Sequence, residues 1–199
     1  MGELSPIARA VEALRRGGVV AYPTDTFYGL AVDPRRDDAV ERLYGVKGRD
    51  GASAIPLIAG SMEQAEETGS FSDSHRRLAR AFWPGPLTII VPAAPGLSRE
   101  LLGLGTTIAV RVPAHPLACE LANAFGYAIT STSANRSGQS PASTASDVTR
   151  ALADAIDVVI DGGPTPGGPP STIVELTDAG PRLVRAGQIA WERVLRSLE

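Results

Sequence analysis

The chain has 199 residues, a formal net charge of −3, 43% hydrophobic and 21% charged residues, the balance of an ordinary soluble protein that buries one core, expected as one domain over 1–199. Its longest apolar runs, such as Leu87 to Pro92, are too short to span a bilayer, and the N-terminus lacks the basic start, apolar core and cleavage site of a signal peptide; a cytoplasmic protein without membrane contact is expected. Cys119 is the sole cysteine and His75 and His115 the only histidines, which excludes an intramolecular disulfide and a Cys/His zinc site, while the mild acidity argues against a protein that coats nucleic acid with excess Lys and Arg.

In chain order, Ser5 as N-cap, Pro6 at the first helical position and Ile7, Ala10, Val11 and Leu14 on one face predict a helix to about Arg16. Gly18 to Tyr22 reads as a buried strand that stops at Pro23, so the hydroxyls of Thr24 and Thr26 fall at a strand end. Asp37 to Val46 reads as a helix that delivers Lys47 and Arg49 just past its C-terminus, and Ile55 to Ala59 as a strand. Ser61 and Gln64 form a capping-box pattern, Ser74 to Phe82 a further helix ended by Trp83-Pro84-Gly85-Pro86. Strands are predicted over Leu87 to Val91, Thr107 to Val112, Tyr127 to Ser131, Ile156 to Ile160, Thr172 to Leu176 and Leu183 to Arg185. Helices are predicted over Pro116 to Phe125, from a cap at Thr144 and Asp147, and near Ile189 to Ser197. Asp161 to Pro170 is almost all Gly and Pro, a lid or surface loop inside the domain. Strands and helices mingle without strict alternation, which predicts an α/β fold: a twisted mixed parallel/antiparallel sheet flanked by helices.

The familiar nucleotide-loop, dinucleotide, nucleophile-elbow and zinc-protease motifs are absent. Instead, short polar clusters stand at strand ends: Thr24 to Tyr28, Lys47-Gly48-Arg49, Arg111-Val112-Pro113, Ser131 to Gly138, Ser171-Thr172 and Arg185. Hydroxyls interspersed with isolated cations suit an anionic ligand with several oxygens. Of 19 basic residues, 18 are Arg and one is Lys47, which suits a compact point charge for phosphate; complementing a helix C-terminus is the alternative. Arg111 ends an apolar strand and needs a partner, either a carboxylate ligand or a buried Asp or Glu.

Taken in order, these clusters resemble the YrdC/TsaC family of threonylcarbamoyl-AMP synthases from about Gly17 to Gly187. Pro23-Thr24-Asp25-Thr26-Phe27-Tyr28-Gly29-Leu30 is similar to its P-T-[DE]-T-x-Y-G-L, Lys47-Gly48-Arg49 to its K-x-R and Ser133-Ala134-Asn135 to its S-x-N. Trp83-Pro84-Gly85-Pro86-Leu87-Thr88, Arg111-Val112-Pro113, Ser171-Thr172-Ile173-Val174 and Arg185-Ala186-Gly187 match its other signatures. The resemblance implies a YrdC-like domain in which the threonine amine and bicarbonate form a carbamate that attacks the α-phosphate of ATP, with Mg2+ arriving on the ATP. It implies that Lys47, Arg49, Ser133 and Asn135 hold the triphosphate and act in catalysis, with Thr107, Pro141 and Arg185 completing the ATP site. It implies that Thr26, Arg111, Ser131 and Ser171 hold threonine. The chain departs from the pattern at Ile55, where the family often has Lys, Asn or Ser before Pro56, so that a usual ATP contact is either missing or supplied by Ser53, and at Gly60, where some members carry His.

The expected partners are L-threonine, bicarbonate and ATP, with hand-over of the product to a tRNA threonylcarbamoyl transferase complex. An RNA-binding module without synthase activity is the main alternative. A carbamoyl transferase like the YrdC-like part of hydrogenase-maturation proteins is the lesser one, since a single cysteine and 199 residues do not supply their zinc-finger and acylphosphatase parts.

Overall fold

The computed structural model describes residues 4–48 and 54–199. Helix α1 (Pro6–Arg15) opens as the sequence predicts: the Ser5 hydroxyl accepts from the Ala8 amide at 3.1 Å, and Ala10, Val11, Ala13 and Leu14 form the buried face. Strand β1 (Val20–Pro23) is apolar without alternation because both faces are covered. Val19 and Ala21 belong to one core cluster, Val20 and Tyr22 to the other. The chain turns through Thr24 to Phe27 and returns antiparallel as β2 (Tyr28–Ala31), with Ala21 opposite Leu30.

Helix α2 (Asp37–Lys47) runs one residue further than expected, so Lys47 is its last residue rather than the first beyond it, and Gly48 closes it in the left-handed conformation. After β3 (Leu57–Ile58) come α3 (Met62–Glu66), capped by Ser61, and α4 (Asp73–Phe82). The Trp83 to Pro86 turn leads into β4 (Leu87–Pro92), which pairs antiparallel with β5 (Thr107–Arg111). Helix α5 (Pro116–Phe125) packs on α1. Two minimal strands follow, β6 (Ile129–Thr130) and β7 (Thr132–Ser133), then α6 (Ala145–Leu152), β8 (Val158–Val159), the hairpin β9 (Thr172–Thr177) and β10 (Gly180–Arg185), and α7 (Trp191–Arg196). The expected Thr144 cap is present: its hydroxyl accepts from the Asp147 amide and donates to the Asp147 carboxylate.

The mixed pairing holds, and the strands form two sheets, ordered β7-β2-β1-β8 and β10-β9-β4-β5-β3-β6. Parallel pairs (β3 with β5, β4 with β9) alternate with antiparallel ones in the larger sheet, whereas in the smaller one β7 with β2 and β2 with β1 are both antiparallel and β1 with β8 is parallel. The chain crosses between the sheets at Ser131. Just before it, β6 pairs with β3 in the larger sheet; just after it, β7 pairs with β2 in the smaller, and the Ser131 amide donates to the Pro56 carbonyl at 2.7 Å. This crossing sets both sheets around one opening. Among the described residues no helix is long and apolar enough to cross a membrane.

The α4 cap titrates. The Ser72 hydroxyl accepts from the His75 amide, while His75 Nδ1 accepts from the Ser72 amide at 3.0 Å, so Nδ1 is unprotonated and the ring proton sits on the buried Nε2. Burial lowers the His75 pKa below its ordinary 6.5. Below that value the unfolded chain binds a proton that the folded chain resists, so the stability from neutral His75 is full above it and is lost as the pH falls through the depressed folded value. His75→Gln can close the same box without titrating. Chemical denaturation at about pH 7.5 and about pH 5 is expected to show wild-type protein losing about 1 kcal/mol more than His75→Gln; equal losses would remove His75 as the cause.

Candidate active site

Between the two sheets lies a cavity of about 590 Å³, within the size range of small-molecule sites. The β1–β2 turn supplies Thr24, Thr26 and Phe27, and the crossing segment supplies Ser131, Thr132 and Ser133. The larger sheet supplies Thr88, Ala109 and Arg111, and the C-terminal hairpin supplies Ser171, Ile173 and Arg185. Seven of the residues expected from the sequence therefore face one space: Thr26, Arg111, Ser131, Ser133, Pro141, Ser171 and Arg185.

Lys47 and Asn135 stand behind Ser133. Both are buried, Lys47 to 1% exposure, and the Lys47 ammonium donates to the Ser133 carbonyl at 2.5 Å and to Asn135 Oδ1 at 3.0 Å. The Ser133 hydroxyl donates to the same Oδ1 at 2.5 Å, while the Asn135 amide is anchored on the Arg136 and Gln139 carbonyls at 2.9 and 2.6 Å. The helix end that carries Lys47 and the strand that carries Ser133 are thus locked into one polar cluster. Arg49 and Ser53 lie outside the described residues.

Thr107 shares a face of β5 with Ala109 and Arg111, because side chains alternate along a strand. It sits four residues from Arg111, about 13 Å along the strand, opposite Pro92 and outside the cavity wall. Gly60 also lies off the wall. A Cβ there would stand 2.2 Å from Asn123 Oδ1 and 2.7 Å from the Cys119 carbonyl oxygen, so helix α5 occupies the space a larger side chain needs. The departure at Gly60 therefore reflects packing against α5. Ile55, the other departure, is buried in the core.

Two cations converge on the cavity. Arg111 is 7% exposed, and its Nη1 donates to Asp25 Oδ1 and Oδ2 at 2.7 and 3.0 Å. The Arg185 guanidinium donates to the Ser171 carbonyl at 2.9 Å and its hydroxyl at 3.0 Å, and the Ser171 hydroxyl meets Thr88 Oγ1 at 2.8 Å. Desolvation first, and then the positive charge of Arg111, lowers the Arg185 pKa, so an anion between the two relieves both costs. Burial raises the pKa of the Tyr22 phenol, whose hydroxyl donates to the Thr130 carbonyl. Burial likewise pushes the Cys119 thiol up and the His115 imidazole down. Among the described residues no group of three or more His, Cys, Asp or Glu could hold a metal ion.

Of the polar residues that sequence reasoning left out of the site, which include Thr24 and Thr132, Asp25 and Thr88 each hold a side chain that lines it. Both stand inside the quoted motifs, but each meets its partner across more than 80 residues of chain. The Gly/Pro segment is tied down at its edges. The Gly167 amide donates to the Thr26 carbonyl at 2.8 Å, Tyr28 donates to the Gly163 carbonyl at 2.8 Å, and the Thr165 amide donates to the Ser143 carbonyl at 2.9 Å. Pro170, at its end, lines the cavity.

Residues 12–187 match the Sua5/YciO/YrdC family model, whose description is "Telomere recombination". A threonylcarbamoyl-AMP synthase from Chromohalobacter salexigens is 46% identical over 173 residues, covering 85% of this chain and 92% of that protein. One from Thiobacillus denitrificans is 44% identical over 164 residues, covering 82% and 87%. The crystal structure of Pyrococcus abyssi Sua5 complexed with L-threonine superposes with a TM-score of 0.91 at 34% identity, covering 98% of this chain and 58% of that longer one. With the family model spanning most of its length and relatives this similar, the chain belongs to the Sua5/YciO/YrdC family.

Proposed function

We propose that this chain is a threonylcarbamoyl-AMP synthase, in which one YrdC-like unit condenses L-threonine, bicarbonate and ATP and releases diphosphate. The observation that supports the reading is one cavity lined by Arg111, Thr26, Ser131, Ser133 and Ser171, with Lys47 and Asn135 buried directly behind Ser133 and bonded to it. The names of the relatives and the threonine complex of the Pyrococcus protein support it.

In this reading the threonine carboxylate lies on the Arg111 guanidinium, where a planar fork matches two carboxylate oxygens. The hydroxyls of Thr26, Ser131 and Ser171 orient the rest of the amino acid. The amine attacks bicarbonate, water leaves, and one oxygen of the resulting carbamate attacks the α-phosphate with diphosphate as the leaving group. Lys47, Arg49, Ser133 and Asn135 hold the triphosphate and the charge that builds on it, while Pro141 and Arg185 bound the adenosine side. Thr107 acts at the far rim of the nucleotide site. Mg2+ enters as the counter-ion of ATP. With positioning and charge stabilisation supplied this way, the reaction gains from proximity and from preorganised donors rather than from a covalent intermediate.

The test is mass analysis of the products after incubation with ATP, bicarbonate and L-threonine, alongside diphosphate release with threonine omitted. The expected result is a threonylcarbamoyl adenylate and release that depends on threonine. ATP binding with no such dependence would sink the reading. The labile adenylate is then the substrate of a tRNA-directed transferase, a hand-over that trapping by added transferase and tRNA would reveal.

A further inference from the structure

Asp25 does not line the cavity, yet its carboxylate sits directly behind a residue that does. The contact is one-sided: a single nitrogen of Arg111, Nη1, takes both carboxylate oxygens. Among the described residues, Arg111 Nε and Nη2 have no hydrogen-bond partner. Those two parallel donors are an edge that a second carboxylate can grip bidentately. The surroundings make this arrangement costly to loosen. The Arg111 side chain is 8% exposed and that of Asp25 14%, and the groups that sense the Asp25 charge are the phenol of Tyr22, the imidazole of His115 and the thiol of Cys119. Burial lowers the His115 pKa, so none of these carries a fixed positive charge like that of Arg111. Arg185 approaches the cavity from the hairpin side and adds a second positive charge. Asp25 offsets one of the two.

We propose that Asp25 is a positioning residue for the substrate carboxylate: it anchors Arg111 through Nη1 and so keeps the Nε and Nη2 edge of the guanidinium free and fixed for the amino acid. The proposal rests on the functional reading above. Wild-type turnover tests that reading, and the ratio of variant to wild type tests this one.

The experiment uses the full chain as Asp25→Asn, Asp25→Glu, Arg111→Ala and the Arg111→Ala/Asp25→Asn double variant. Diphosphate release is followed with threonine varied at saturating ATP and bicarbonate, and ATP affinity is measured by calorimetry. Asp25→Asn keeps the size and one acceptor but removes the charge. It is expected to raise the threonine KM about tenfold or more, with kcat and ATP affinity within about twofold, the signature of lost uniform substrate binding. Asp25→Glu restores the charge and is expected to recover part of the loss. In the Arg111→Ala background, Asp25→Asn adds less than about twofold, since the residue it acts through is gone.

An unchanged threonine KM in Asp25→Asn, with the wild type active, overturns the inference. So does a lowered KM, which would mean that Asp25 competes with the ligand for Arg111. A full further loss on top of Arg111→Ala, or loss of ATP affinity in both Asp25 variants, assigns Asp25 to the fold instead and also overturns it. If the wild type shows no threonine dependence, the functional reading fails and this inference falls with it.

Discussion

Lys47→Ala is expected to lower threonine-dependent diphosphate release by about 10²–10³-fold, the usual effect of removing one donor aimed at developing charge. The side chain is buried at the end of α2, and its ammonium reaches both the Ser133 carbonyl and Asn135 Oδ1. Two of the residues proposed to hold the triphosphate are therefore placed through the third. Removing the amine leaves Asn135 Oδ1 still satisfied by the Ser133 hydroxyl, so the cost to stability stays at about 1–3 kcal/mol, that of a buried acceptor losing its donor. Urea denaturation and kcat measured side by side separate the two effects. Lys47→Arg is expected to fail nearly as badly, because a planar guanidinium does not fit where a compact ammonium is 1% exposed. A Lys47→Ala protein that keeps more than about a tenth of the wild-type rate would take Lys47 out of the chemistry and leave it a helix-end charge.

That Lys47 could be singled out from sequence owes to composition, since it is the only lysine in a chain otherwise served by arginine. Arg111 was legible for a different reason: an arginine at the end of an apolar strand must have a partner, and the structure provides Asp25 while, among the described residues, leaving two donors uncommitted. The helices were legible from their caps, as Ser5 and Thr144 demonstrate. What sequence could not carry was pairing between short, distant segments. Strands β6 and β7 have two residues each, too few to express a period of two, and the crossing at Ser131 depends on partners near residues 30 and 57. The strand β2 was missed because Tyr28 to Ala31 is four residues buried on both faces, a run that looks the same as the end of a turn. Gly60 illustrates the opposite limit: its meaning lies in Asn123 and Cys119 on α5, which no local pattern links to it.

The same logic gives Gly187 a role that its place in Arg185-Ala186-Gly187 does not announce. A Cβ on Gly187 would lie 2.2 Å from the Pro170 carbonyl oxygen and 2.5 Å from both the Ser171 carbonyl carbon and the Thr172 nitrogen. All three are backbone atoms, so no rotamer change makes room. The segment they belong to is held from two other sides. The Thr172 amide donates to the Pro86 carbonyl at 3.0 Å, and the Gln188 amide donates to the Pro170 carbonyl at 3.0 Å. Gly187→Ala must therefore push Pro170 to Thr172 away from the hairpin, and with it Ser171, which receives the Arg185 guanidinium and meets Thr88 inside the cavity. The expected stability loss is about 3 kcal/mol, the upper range for overpacking a tight site. Because a displacement near 1 Å at a positioning residue costs about 10²-fold in rate, kcat/KM for threonine is expected to fall by about that factor even at temperatures where the variant remains folded. Ser171→Ala removes the hydroxyl without moving the backbone, so it is expected to cost less than Gly187→Ala. The reverse order, measured on folded protein, would show that the Gly187 contact serves packing alone and that Ser171 acts through its hydroxyl wherever the segment sits.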